Sequence, residues 1–270
     1  MNTSRFQKFT FSFDINLYEK LISSVDFECV AKGRIGNHLV KIGEEGVPIV
    51  RTTTVYHIAA QNFSSIHDFV IEHINLAIKN SELNNFLPVD FNNALIEVYD
   101  FNYSKMNYHS DQSLDLDANS YIGIFSCYKN PEELSDNQLR KLIVKEKDDD
   151  EEFEIPLTHN SFILFSVETN SKFLHKITLD RMFNQKPLQS DNKWLGITFR
   201  KSKTFIQFED NLPYFSNGQL LEPANEEQKA EFFKLRGQEN RLINFVYPEL
   251  SYTLSIADRL MPINNNLNIG

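Results

Sequence analysis

Two cysteines in a chain of 270 residues, Cys29 and Cys127, are too few and too isolated for a disulfide framework or a thiolate metal cluster. Their scarcity fits a reduced, cytoplasmic setting. The opening Met1-Asn2-Thr3-Ser4-Arg5-Phe6 lacks the apolar core of a signal peptide. No apolar run approaches the roughly 18 residues that a membrane-spanning helix needs, so no membrane partner is expected. Basic residues are in deficit, 27 against 37 acidic ones, for a net charge of −10. Nucleic-acid binders normally present a basic face. Nucleic acid is therefore a disfavoured partner, with a local basic groove the one way around the overall charge. No internal repeat and no Pro/Gly/Ser-rich linker divides the chain. One domain over 1–270 is expected, with a core at about 47–208 and with 1–46 and 209–270 as decorations. Apolar bulk is plentiful: 41% hydrophobic residues, with 23 Phe, suffice for a sizeable core.

Gly33, Gly36, Gly43 and Gly46 punctuate residues 33–47, which read as loop or hairpin. Val47–Tyr56 is rich in β-branched residues and reads as a strand. Ser65 and Asp68 form a capping pair for a helix whose Ile66, Phe69, Val70, Ile74, Ala77 and Ile78 recur at helical spacing. Strands follow at Asn93–Phe101, Tyr121–Tyr128, 140–144, 153–157, Ser161–Val167, Lys172–Leu179, Lys193–Arg200 and Thr204–Phe208. The acidic run Asp148–Glu152 is a solvated connection. A later helix covers 226–236, introduced by Pro223 and Asn225, and serves either as a cover for the barrel mouth or as a dimer seam. Many short strands with few helices predict a mainly β (α+β) fold with a jelly-roll or cupin-like double-sheet core.

The chemistry concentrates in His109-Ser110-Asp111 and in a later strand histidine, His175. Period-two geometry puts His109 and Asp111 on one side of an extended segment. His175 shares a strand face with Phe173, Ile177 and Leu179, so it points into an apolar interior and needs a partner there. Two imidazoles and one carboxylate are the protein ligands of the facial triad of non-haem Fe(II) oxygenases. H-x-D alone is a common accident; its order with a strand histidine and a strand-end arginine carries the reading. Trp194, Gly196, Thr198 and Arg200 share one face of the last long strand. Arg200 offers a fork for the distal carboxylate of 2-oxoglutarate, Gly196 leaves space, and Thr198, Ser202, Tyr99 and Ser126 are further hydroxyl candidates. Arg181 competes with Arg200 for that role. Gln112, Arg51 and Trp194 are candidate substrate contacts. Asp115 and Asp117 read as a solvated loop or as the lining of an entrance for a cationic group. His38, His57, His67, His73 and His159 have no metal spacing among themselves.

Over roughly residues 47–205 these features resemble the Fe(II)/2-oxoglutarate-dependent dioxygenase superfamily, most closely its AlkB-like branch. Leu95-Ile96-Glu97-Val98-Tyr99 is similar to the family's strand before H-x-D, with Glu97 where the family usually has Asn. Ile197-Thr198-Phe199-Arg200 is similar to its closing Thr-Phe-Arg. The AlkB-like branch has a further arginine six residues earlier, and this chain has Trp194; Arg200-Lys201-Ser202 instead resembles the Arg-x-Ser clamp of other members. The resemblance implies a double-stranded β-helix, His109, Asp111 and His175 as iron ligands, and Fe(II), 2-oxoglutarate and O2 as cofactor and co-substrates, with succinate and CO2 released. Retention of Asp111 implies hydroxylation, desaturation or demethylation rather than halogenation. A small substrate is expected, such as an amino acid, peptide or natural-product intermediate. An AlkB-type demethylase of nucleic acid or protein is the second reading, and a catalytically silent barrel used as a binding module is the third.

Overall fold

The computed structural model describes residues 5–81, 88–135, 138–179 and 192–264. The chain begins with β1 (Gln7–Thr10), α1 (Leu17–Ser23), β2 (Glu28–Ala31), β3 (Arg34–Val40), β4 (Val47–Pro48), β5 (Gln61–Asn62) and α2 (Ser65–Asn80). It continues with β6 (Asn93–Tyr99), β7 (Tyr121–Tyr128), β8 (Arg140–Glu146), β9 (Glu152–Pro156), β10 (Ser161–Ser166), α3 (Val167–Lys172) and β11 (Phe173–Leu179). It ends with β12 (Trp194–Arg200), β13 (Phe205–Glu209), β14 (Leu212–Phe215), β15 (Glu222–Pro223), α4 (Glu226–Glu239) and β16 (Tyr252–Thr253).

An eight-stranded sheet has the order β1-β10-β7-β12-β6-β3-β2, with β5 alongside β3. A smaller sheet, β11-β8-β9, faces it. Strict alternation builds both layers. On β6 and β12, Ala94, Ile96, Val98, Leu195, Ile197 and Phe199 point away from the small sheet and pack against Leu17 and Leu21 of α1 and Val70, Ile74 and Ile78 of α2. The intervening Tyr99 and Trp194 turn inward, among Leu142, Val144, Phe173 and Ile177 of the small sheet. The central strands are buried on both faces, which is why they read as nearly unbroken apolar runs. This is a double-stranded β-helix, the fold expected from the strand pattern.

Three expectations need correction. Residues 33–47, read as loop or hairpin, contain β3, which forms a hairpin with β2 and is bonded to β6 along its length. The glycines misled: Gly33 makes the β2–β3 turn with φ +77, and Gly36 sits inside the strand. β1, β2 and β3 all join the large sheet. Residues 47–56, read as one strand, pair only at Val47 and Pro48. The backbone then leaves the sheet because the Arg51 N–H donates to a carboxylate of Asp115 (2.7 Å). The α2 cap is Ser64, whose N–H donates to His67 Nδ1 (3.0 Å), rather than the Ser65–Asp68 pair. Arg181 lies outside the described residues.

Asp115 is not a solvated loop residue. It is fully buried and holds Arg51 through the Nε–H (3.1 Å) and an Nη2–H (2.7 Å). Arg51 Nη1 also donates to the carbonyls of Leu250 and Tyr252, at 2.6 and 3.1 Å. Arg51 thus ties the core to the C-terminal segment. Removing one partner of a buried pair leaves an uncompensated charge. Arg51→Met is expected to cost about 3–5 kcal/mol in urea unfolding; a loss below about 0.5 kcal/mol would remove this tie from the account.

Candidate metal centre

The strand reading of His175 holds, and its neighbour is His109. The two residues exchange backbone bonds: His109 N–H donates to the His175 carbonyl (3.0 Å), and His175 N–H to the His109 carbonyl (2.7 Å). Directly opposed residues of an antiparallel pair put their side chains on the same face. The imidazoles therefore stand side by side, centroids 4.7 Å apart. Asp111, two residues on, returns to that face. Its N–H donates to Asn170 Oδ1 (2.7 Å), and Asn170 Nδ2 donates back to the Asp111 carbonyl (2.8 Å). Asn170 sits in α3, the short helix that leads straight into β11. The same turn is gripped from α4: Arg236 donates to the Ser110 carbonyl, and Glu239 accepts from the N–H and hydroxyl of Ser113 at 2.8 and 2.6 Å. The C-terminal helix, which the sequence offered as a mouth cover or a dimer seam, braces the loop that carries two candidate ligands.

The ligand atoms of His109, Asp111 and His175 all lie within 4.8 Å of one another. His109 Nδ1 is 3.0 Å from the Asn107 carbonyl, so that nitrogen carries the proton and Nε2 is left as the lone-pair donor. Loss of solvent, and then the His175 imidazole, push His109 down to about 3 against the pull of Asp111. Burial alone would raise the Asp111 carboxyl. Arg200 and His175 outweigh it and hold Asp111 well below the usual carboxylate range. One neutral imidazole and an ionised carboxylate are thus ready without proton release, and the donor set suits a divalent iron with open positions opposite.

Arg200 Nε donates to Asp111 Oδ2 (2.8 Å), which puts the guanidinium beside the metal position. A cavity of about 110 Å³ opens over the triad, and Arg200, Thr198, Tyr99 and Gln112 line it. Four other sequence candidates are elsewhere. Ser202 Oγ is spent on backbone, donating to the Ile49 carbonyl (2.6 Å). Ser126 Oγ accepts from Trp194 Nε1 (2.5 Å). Trp194 lies in the inner core, its indole where a Cβ at 196 would be; Gly196 leaves room for that ring, not for a ligand. Arg51 borders a different cavity, about 840 Å³, which contains none of the three candidate ligands. Arg34, Glu97, Thr52–Thr54 and Arg236 also line the metal cavity. For Glu97 a signal existed, as the acid on the inward face of β6. Arg34 could be found only once β3 was known to be a strand.

Residues 40–200, more than half of the chain, match the family model described as the 2OG-Fe(II) oxygenase superfamily. The chain belongs to the 2OG-Fe(II) oxygenase superfamily. This oxygenase is accordingly a 2-oxoglutarate-dependent non-haem iron dioxygenase that uses Fe(II), 2-oxoglutarate and O2. Among solved structures it is similar to OsALKBH1 (14% identity, TM-score 0.39, 63% of this chain and 78% of that one). It is also similar to a Pseudomonas putida prolyl-4-hydroxylase (12% identity, TM-score 0.43, 73% of this chain and 92% of that one). At that distance neither likeness speaks to branch or substrate. No curated protein matches the oxygenase in sequence. Among the described residues no helix is long and apolar enough to cross a membrane.

If Asn170 fixes Asp111 as a ligand, Asn170→Ala lowers Mn(II) affinity about 10- to 100-fold, and Asp111→Ala abolishes stoichiometric binding, both read by titration calorimetry. Unchanged affinity in both variants would remove Asp111 from the site.

Proposed function

We propose that this dioxygenase oxidises a C–H bond of a small organic substrate, with His109, Asp111 and His175 as the iron ligands. The observation that carries the substrate class is the cavity over the triad. It measures about 110 Å³ and, histidines apart, has one aromatic ring, Tyr99, in its described lining. A nucleobase taken from a stack needs a flat slot between aromatic or apolar surfaces, and this cavity is not one. The arginines along it are each tied to an acid: Arg34 to Glu97, Arg200 to Asp111, Arg236 to Glu239. They do not form the track of free cations that a phosphate backbone requires.

Gln112 supplies the polar feature. It is buried, and both its amide oxygen and its nitrogen have no hydrogen-bond partner. A buried amide left unpaired costs about 1–3 kcal/mol, so a substrate that supplies both a donor and an acceptor is selected over one that does not. An amide, a carboxamide or an amino-acid backbone meets that demand. Arg200, held beside Asp111, is placed to take the carboxylate of 2-oxoglutarate nearest the metal. Iron with 2-oxoglutarate supplies the oxidising power, consuming O2 and releasing succinate and CO2. The chain's own residues fix the ligands, balance the charge of the carboxylates and keep water from the apolar wall formed by Ile124 and Ile177.

The test is succinate release from 2-oxoglutarate with Fe(II) and O2, against amino acids, small amides and methylated oligonucleotides. A small amide or amino acid is expected to raise the rate above the uncoupled level. Gln112→Leu should remove at least about tenfold of the kcat/KM for it, while His109→Ala releases no succinate at all. Stimulation by methylated oligonucleotides alone would favour the demethylase reading. Full turnover in His109→Ala would mean that the metal site is wrong.

A further inference from the structure

The distal carboxylate of 2-oxoglutarate needs a cation at the far end of the cavity from the iron, and Arg200 is at the near end. Trp194 fills the inward position of β12 at that far end. Arg140, which stacks over Tyr99 and Trp194, spends its two terminal nitrogens on the carbonyls of Tyr103 and Asp100, at 2.6 and 2.7 Å, and does not border the cavity. Arg236 is held on the α4 side by Ser110 and Glu239. Arg34 is left.

Strand register places it. Trp194 is opposite Tyr99, and Tyr99 is opposite Arg34, so the three occupy one rung across β12, β6 and β3. Arg200 is on β12 six residues from that rung, about 20 Å along the strand at roughly 3.3 Å per residue. Arg200 bonds Asp111, and Arg34 bonds Glu97, which lies two rungs towards Arg200 on the same face of β6. Both arginines border the cavity over the triad, and the span between their rungs leaves room for a short dicarboxylate.

We infer that Arg34 is the anchor for the distal carboxylate, in place of any residue of β12, and that Glu97 competes with the co-substrate for it. This rests on the reading that 2-oxoglutarate binds at the His109–Asp111–His175 site. The surroundings of Glu97 are those a bound carboxylate would have. Arg34 donates through Nε (2.6 Å) and through Nη2, Tyr99 donates its phenol (2.6 Å), and Tyr56 donates a second phenol (3.2 Å). Glu97 is buried beside the cavity and completes in the free protein a carboxylate site that a ligand shares or takes over. A guanidinium has five N–H donors; Glu97 takes one from Nε and one from Nη2, and the Tyr103 phenol accepts one from Nη1 at 3.4 Å, so the co-substrate carboxylate enters on the N–H groups that remain, against the repulsion of the acid.

The experiment is titration calorimetry on the Mn(II)-loaded full chain with two 2-oxo acids. 2-Oxoglutarate has the distal carboxylate, and 2-oxopentanoate has the same metal-binding head without it. The wild type is expected to prefer 2-oxoglutarate at least tenfold. Arg34→Met should weaken 2-oxoglutarate about 10- to 100-fold and leave 2-oxopentanoate unchanged. Glu97→Gln should tighten 2-oxoglutarate alone. The double variant Arg34→Met/Glu97→Gln removes the pair without leaving a buried charge unmatched, and it should show no preference between the acids. A preference that survives in Arg34→Met and in the double variant overturns the anchor. Equal weakening of both acids assigns Arg34 a structural role and overturns it too. A Glu97→Gln variant with unchanged or weaker 2-oxoglutarate binding overturns the competition. A wild type that binds Mn(II) but neither acid sinks the co-substrate reading itself, and the anchor with it.

Discussion

The pair of backbone hydrogen bonds between His109 and His175 is the constraint from which the rest of the site follows. Residues 66 positions apart are locked face to face, and strand geometry leaves their imidazoles no choice but to stand together on the inner side. Asp111 follows by period two. Everything around the turn serves to keep that register: Asn170 grips Asp111 from both backbone directions, and Arg236 and Glu239 of the C-terminal helix hold Ser110 and Ser113. A ladder of one bridge is weak on its own; its bracing from α3 and α4 is what makes a ligand set of it.

The electrostatics follow the same economy. Three arginines border the metal cavity, and each has a carboxylate partner within the chain. Such pairing lets a net-acidic protein bring cations to a site meant for anions without exposing a basic surface. It also explains why the overall charge of −10 says little about the co-substrate. At the far end of the cavity, Trp194, Gly196, Glu97 and Arg34 form one rearranged unit. The ring at 194 needs the glycine at 196, and at the rung where β12 carries Trp194 the guanidinium is that of Arg34 on β3.

Much of this was legible in the sequence because the relevant signals are local. The inward face of β6 and β12 could be read from alternation, and so could the burial of His175. The order of H-x-D, strand histidine and strand-end arginine pointed to the metal. Other features escaped for physical reasons. Gly33 and Gly36 imitate a loop although the second is mid-strand, so β3 and Arg34 with it were hidden. Residues 47–56 have the composition of a strand, but tertiary bonding to Asp115 overrides it. Ser202, Ser126 and Trp194 have suitable chemistry on or beside suitable strands, yet the Ser202 hydroxyl donates to the Ile49 carbonyl and the Trp194 indole donates to the Ser126 hydroxyl, partners far away in the chain.

The account's central claim is that His109, Asp111 and His175 meet on a single ion. Anomalous diffraction from crystals loaded with Fe(II) or Mn(II), recorded at the metal's absorption edge, tests this most directly. One strong peak among His109 Nε2, the Asp111 carboxylate and the His175 ring is the expected result. A metal bound elsewhere with these three side chains unengaged, or no ordered metal at saturating concentration, would contradict it.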